Sequence, residues 1–224
     1  MAVIHHTTLN PGKLDLLAPW LPTRPWYRGG GEPQLDKAGG FRLDDPAGAV
    51  GIEFMAVRDV SGAEPVTYHV PLTYRDAPLD GADHALIGTT EHGVLGRRWV
   101  YDGANDPVLV AQLLALVLGE AEAQAQSVSD TADPSVVGWS AQAGQTAEGA
   151  GLTAVTDGPL GTDLLVLAPA ASDGQLVVRV SRVLSPEDSG ASEGGPVGHV
   201  TAQWLLPDGT GARGRFAEVR GAAQ

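Results

Sequence analysis

Residues 66–119 read VTYHVPLTYRDAPLDGADHALIGTTEHGVLGRRWVYDGANDPVLVAQLLALVLG. Val66, Tyr68, Val70 and Leu72 alternate with Thr67, His69 and Thr73, the period-two pattern of a strand over Val66–Tyr74. Pro71 has no N–H for a ladder, which directs that strand to a sheet edge or a bulge. Arg97–Tyr101 reads as a further strand. Between them, Asp76–Gly96 reads as a long polar connection carrying His, Asp and Glu. Asp106-Pro107 then sets an N-cap before a proline at the first helical position. Val110, Leu113, Leu114, Val117 and Leu118 have helical spacing, and Gly119 supplies the stop.

Upstream, Asn10-Pro11 repeats the helix-start chemistry, and Leu14, Leu17 and Leu21 predict a short helix from about Pro11 to Pro19. The stretch LPTRPWYRGGG reads as loop at its glycines. Val50–Val57 reads as a strand, with Ser61-Gly62 as the turn into Val66–Tyr74. Downstream, Glu120 to about Gly151 is rich in Ala, Gln, Ser and Gly and predicts a linker, with one strand near Val136–Trp139. Strands are expected at Leu152–Thr156, Leu164–Leu167, Leu176–Leu184, Val200–Leu206 and Arg215–Val219, with a turn at Pro207-Asp-Gly209. Ser185–Gly198 reads as a mobile acidic loop. The expected organisation is an α+β unit over 1–122, a linker over 123–150 and a β-rich unit over 151–224.

Composition narrows the functions. At 224 residues the chain can bury one core or two small ones, and it has no Cys, which excludes disulfides, thiolate metal sites and Cys nucleophiles. A net charge of −13 with only 14 basic residues argues against duplex nucleic acid and anionic membranes as partners. The start, MAVIHHTTLNPGK, lacks the pattern of a secretory signal, and a cytoplasmic protein is expected.

Asp83, His84, Glu91 and His92 form the one cluster of possible metal ligands. Their spacing matches no helical or hairpin metal motif, and a loop whose polar groups satisfy backbone is the simpler reading. Gly190–Gly194 has the letters of a nucleophile elbow but no strand–helix frame. Gly12-Lys13 lacks the earlier glycine of a P-loop, and Leu14 stands where a hydroxyl would hold metal. Trp20, Trp26 and Tyr27 could stack on a sugar, though aromatics at a helix end more commonly pin it to a sheet. His5 and His6 need no role.

The strings PWLPTRPWYRGGG and residues 66–114 resemble the N-terminal cap of actinobacterial maltokinases over about the first 120 residues. Those enzymes phosphorylate maltose with ATP to give maltose 1-phosphate for α-glucan synthesis from trehalose. The resemblance implies a cystatin-like cap, a curved antiparallel sheet with helices, followed by a smaller, mostly antiparallel β unit like part of a kinase N-lobe. Leu176–Pro186 is similar to the strand that carries the ATP-anchoring lysine, and Arg179 stands at that position. Arg keeps the charge but not the compact ammonium. A kinase of this class also needs a catalytic loop and a second metal-binding Asp, and no H-x-D-x-x-x-x-N string occurs.

The resemblance therefore implies a non-catalytic, cap-like pseudoenzyme with no cofactor and no metal. It would act through a protein partner in α-glucan or maltokinase chemistry, or through self-association. Candidate binding residues are Trp26, Tyr27, Arg28, His84, Glu91, His92, Arg97 and Arg98, with Arg179 as a vestige of the nucleotide lobe. A sugar- or small-molecule-binding module needs exposed faces on Trp26 and Tyr27. A metal-assisted enzyme needs Asp83, His84, Glu91 and His92 to converge.

Overall fold

Asp106 caps the long apolar helix as its sequence predicts: its carboxylate accepts the Val108 amide, Pro107 opens the helix, and Gly119 at φ 78° closes it. The computed structural model describes residues 9–128, 130–141, 145–159, 161–169, 174–186 and 196–221. The Gly190–Gly194 letters, His5 and His6 lie outside these residues, as does most of the expected mobile loop. Among the described residues two α-helices occur, α1 (Lys13–Trp20) and α2 (Pro107–Leu118). The first half supplies strands β1 (Leu9–Asn10), β2 (Leu35–Leu43), β3 (Gly51–Asp59), β4 (Val66–Arg75), β5 (Leu86–His92) and β6 (Gly96–Asp102). Then come β7 (Gln124–Ala125), β8 (Val137–Ser140), β9 (Gly151–Asp157), β10 (Gly161–Leu167), β11 (Gln175–Ser181), β12 (Gly198–Leu205) and β13 (Gly211–Gly221). The described chain is mostly antiparallel sheet with few helices.

All the strands join one sheet, in the order β1-β5-β6-β4-β3-β2-β12-β13-β11-β10-β9, with β7 added to β2 and β8 to β12. The two halves meet at Gly39 of β2 and Trp204 of β12. Gly39 and Gly40 have positive φ beside a bulge, and a Cβ on Gly40 would lie 2.2 Å from the Phe54 carbonyl oxygen. Only glycine lets β2 bend from β3 towards β12 at that point.

The ladder also closes on itself. Beyond β11, residues 182–184 return to β4: the His69 amide donates to the Arg182 carbonyl at 3.0 Å and the Leu184 amide to the Thr67 carbonyl at 2.8 Å. On that same edge of β4, β6 pairs with Leu72–Arg75 alone. Pro71 lies between these two partners. Residues 67 and 69 point their backbone groups to that edge, so by alternation Pro71 does too, at a gap where no N–H is needed. The expectation of a sheet edge or bulge at Pro71 is thus corrected: β4 is an interior strand.

Alternation on β3 and β4 divides the core. Met55, Val57, Tyr68, Val70 and Leu72 face α1 with Leu17, Trp20 and Trp26. Phe41, Phe54 and Ala56 face α2 and pack with Val178, Trp204 and Phe216 of the second half. Phe41 stacks on Phe54 at 4.6 Å, and His69 lies 4.6 Å from Phe216.

Other expectations change in detail. α1 starts at Lys13 because Leu9–Asn10 is drawn out to pair with His92 and Glu91. Asn10 therefore cannot cap, and the Asp15 carboxylate takes the Gly12 amide instead. β2 was hidden by its glycines. β5 was hidden inside the polar connection, since only one of its seven residues is fully buried. Residues 123–150 include β7 and β8, and Gln126 and Ser135 bond to Glu53 and Arg213, so this segment is docked rather than loose.

Candidate functional site

The residues singled out in the sequence fall at separate places. Asp83 and His84 lie in a helical turn (Asp83–Ala85) before β5, and His84 Nε2 is 3.1 Å from Asn105 Oδ1. Glu91 and His92 lie at the far end of β5, roughly 20 Å along the strand at about 3.3 Å per residue. Glu91 pairs with Arg97 at 2.8 Å, both exposed. His92 Nδ1 accepts the amides of Val94 and Leu95, which shapes the hairpin tip. Arg98 donates to the Leu95 carbonyl at 2.9 Å. The four possible ligands do not converge. Among the described residues no group of three His, Cys, Asp or Glu side chains could hold a metal ion.

The aromatic platform is inward-facing. Trp26 is fully buried, edge-on to Trp20 at 5.7 Å, with the Arg182 guanidinium 5.0 Å from its ring. Tyr27 stacks on Tyr68 at 5.6 Å and donates its hydroxyl to Asp59. Burial first, then the Asp59 bond, raises the Tyr27 phenol above its ordinary range. Tyr68 accepts the Arg28 amide at 2.8 Å, and burial pushes its pKa up to about 12. Arg28 itself is exposed. Trp26 thus presents no face to a sugar and instead anchors the chain after α1.

Arg179 lies on the outward face of β11, where Nε and Nη2 fork onto both oxygens of Asp163 at 2.7 Å. These bonds raise its pKa above the arginine value.

Two buried ionic groups escaped the sequence reading. Glu53 accepts from Lys13 Nζ at 2.7 and 2.8 Å, from Tyr74 at 2.6 Å and from Gln126 at 2.6 Å. Burial works to raise its pKa, but the Lys13 charge and these donors overcome it and hold the carboxyl below its usual range. Its signal was an acid inside the apolar run Val50–Val57. Arg182 bonds both oxygens of Asp102 at 2.6 and 2.9 Å and Thr162 Oγ1 at 2.7 Å, with no solvent exposure. Asp102 ends β6 and Arg182 follows β11, so this pair fastens the closing seam between the halves. No spacing in the sequence announces it.

One open groove of about 320 Å³ lies between the loop after β4 and the edge strand β9, lined by Leu79, Asp80, His84, Pro107, Leu152 and Val155 among others. Of the expected site residues, His84 lines this groove. The loop above it is held by Tyr101, whose hydroxyl accepts the Leu79 amide at 2.9 Å. Below it, Arg75 forks onto Asp106 at 2.7 Å through Nε and Nη2.

No curated protein matches the chain. Residues 20–106 match the sequence profile of the maltokinase N-terminal cap domain family. The matched span runs from the end of α1 to the N-cap of α2 and takes in β2 to β6, Trp26, His84 and Asp102. Over residues 20–106, then, the chain is similar to maltokinase N-terminal cap domains.

Proposed function

We propose that this chain acts by binding, as a non-catalytic cap-type protein in the conversion of trehalose through maltose 1-phosphate to α-glucan. Its partner is a maltokinase or an α-glucan enzyme, with self-association as the other route. On this reading it works in the cytoplasm and carries no cofactor. The finer fold follows: a cystatin-like α+β cap, with β9 to β13 as a partial kinase-like nucleotide lobe.

The observation that carries the proposal is the state of Arg179. At the position similar to the anchoring lysine, the guanidinium is already forked onto Asp163, on the outward sheet face. Phosphoryl transfer depends on charges positioned for the phosphates and their metals, and this charge is matched by a carboxylate. Lys13, one of only two lysines, is likewise engaged by Glu53. Among the described residues no helix is long and apolar enough to cross a membrane. The sugar-platform alternative is weakened by the burial of Trp26, and the metal-enzyme alternative by the separation of His84 from His92.

Two measurements test this. Incubation with ATP, Mg²⁺ and maltose is expected to give no maltose 1-phosphate, and sustained turnover would overturn the non-catalytic role. Calorimetric titration against a maltokinase and an α-glucan enzyme is expected to show association at micromolar concentration. No heat with either enzyme would remove the partner assignment.

A further inference from the structure

Among the described residues, β9 ends the strand order of the sheet. β9 pairs with β10 on one side, and no described strand pairs with its other side. At the opposite end of the sheet, β5 is covered in part by β1 and flanked by α1, whose Leu16 lies against Gly88. A register shift between Leu165 and Val166 leaves Thr153 as an extra residue in β9. Leu152 and Val155 consequently both pack on the core, while Thr153, Ala154, Thr156 and Asp157 are exposed. β9 contains neither Lys nor Pro, the residues that commonly guard such an edge. The 320 Å³ groove runs along this strand, with Leu79 and Pro107 on the facing wall.

Charge selects the occupant. No Lys or Arg lines the groove, while Asp80 does. Asp83 is exposed one turn further along the same loop, and Asp157 is exposed at the end of β9. Nearby cations are already engaged: Arg75 with Asp106 and Arg179 with Asp163. The whole chain carries −13.

We infer that the β9 edge and its groove take up a short extended segment of a partner protein, with apolar and basic residues alternating, as an added strand. Backbone bonds to β9 give the affinity, apolar side chains enter between Leu79 and Pro107, and Lys or Arg meets Asp80. This rests on the binding role proposed above and names the chemistry of the partner's docking segment.

The test uses the full chain and a blocked hexapeptide of alternating Lys and Val, with its Glu-Val counterpart, followed by backbone amide NMR. The Lys-Val peptide is expected to shift the amides of residues 79–82 and 152–156, and to bind at least tenfold more tightly than the Glu-Val peptide. Asp80→Lys, on an exposed loop, is expected to reduce that preference by at least threefold. N-methylation of the peptide on one of its two alternate sets of amides is expected to abolish binding, because an added strand needs those donors. Equal binding of both peptides, binding unaffected by either methylation, or no binding would each overturn the proposal. Concentration-dependent shifts of residues 152–156 without peptide would assign the edge to a second copy of the chain and overturn it too. Failure of the peptides removes this surface but leaves the association assay above intact, whereas turnover of maltose removes the proposed function without touching the edge.

Discussion

The two faces of β3 and β4 draw on different parts of the chain. The α1 side is mainly local: Leu17, Trp20, Trp26, Met55, Val57, Tyr68 and Val70 all come from the first half, with Val183 packed against them and Arg182 over Trp26 from the second. The α2 side is shared: Phe41 and Phe54 pack with Trp204, Phe216 and Val178 from beyond residue 150. The cap match at residues 20–106 therefore spans most of one core and only part of the other. A family boundary drawn on sequence need not be a boundary in packing, because both faces of a sheet must be covered.

The largest effect comes from cutting the chain. A fragment of residues 1–122 keeps the α1 side and strips the cover from Phe41, Phe54 and His69. It is expected to lose cooperative thermal unfolding and to bind a hydrophobic dye, and a sharp melt with native near-UV circular dichroism would show that the shared core is dispensable. Next is the seam. Asp102→Ala leaves Arg182 buried and unpaired, which costs about 3–5 kcal/mol in such settings, measurable by urea unfolding of the full chain. A loss under about 1 kcal/mol would mean the seam is held by packing alone.

The shared core also carries a pH signature. His69 is fully buried, and desolvation, with the Arg182 charge, lowers its pKa from 6.5 to about 3. Below pH 6.5 the unfolded chain takes up a proton that the folded chain refuses, so this contribution to stability is lost as pH falls from about 6.5 towards 3. Between pH 7 and 5 the loss is about 2 kcal/mol, at about 1.4 kcal/mol per unit. In His69→Gln the loss over that range is expected to shrink by that amount. Equal slopes in calorimetry would show that the folded state protonates there. The smallest effect belongs to the hairpin tip. Glu91 and Arg97 are 57% and 62% exposed, and Arg97→Ala is expected to change stability by less than about 1 kcal/mol.

What was legible in the sequence had local causes. Asp106, Pro107 and Gly119 bracket α2 because caps act within a turn, and the alternation of Val66–Leu72 set the faces of β4 correctly. β2 was illegible because Gly39 and Gly40 break periodicity in order to bend the strand. β5 was illegible because its exposed face is polar. The candidate cluster from Asp83 to His92 looked dense only along the chain. An intervening strand separates its ends, so nearness in sequence became distance in space. Arg182 and Asp102 show the converse, since two ordinary charges become a buried pair only once the ladder closes.

That closure has a kinetic consequence. His69 meets Ser181 across 112 residues of chain, a long-range contact whose loop entropy is spent before it returns any energy. A seam of that separation is expected to form late in folding, and its loss is then expected to act mainly by hastening unfolding. While the polypeptide is being made, β4 emerges with half of one edge unpaired and waits for more than a hundred residues of synthesis. The first half is then most exposed to mispairing, and the second half serves it as a built-in clasp.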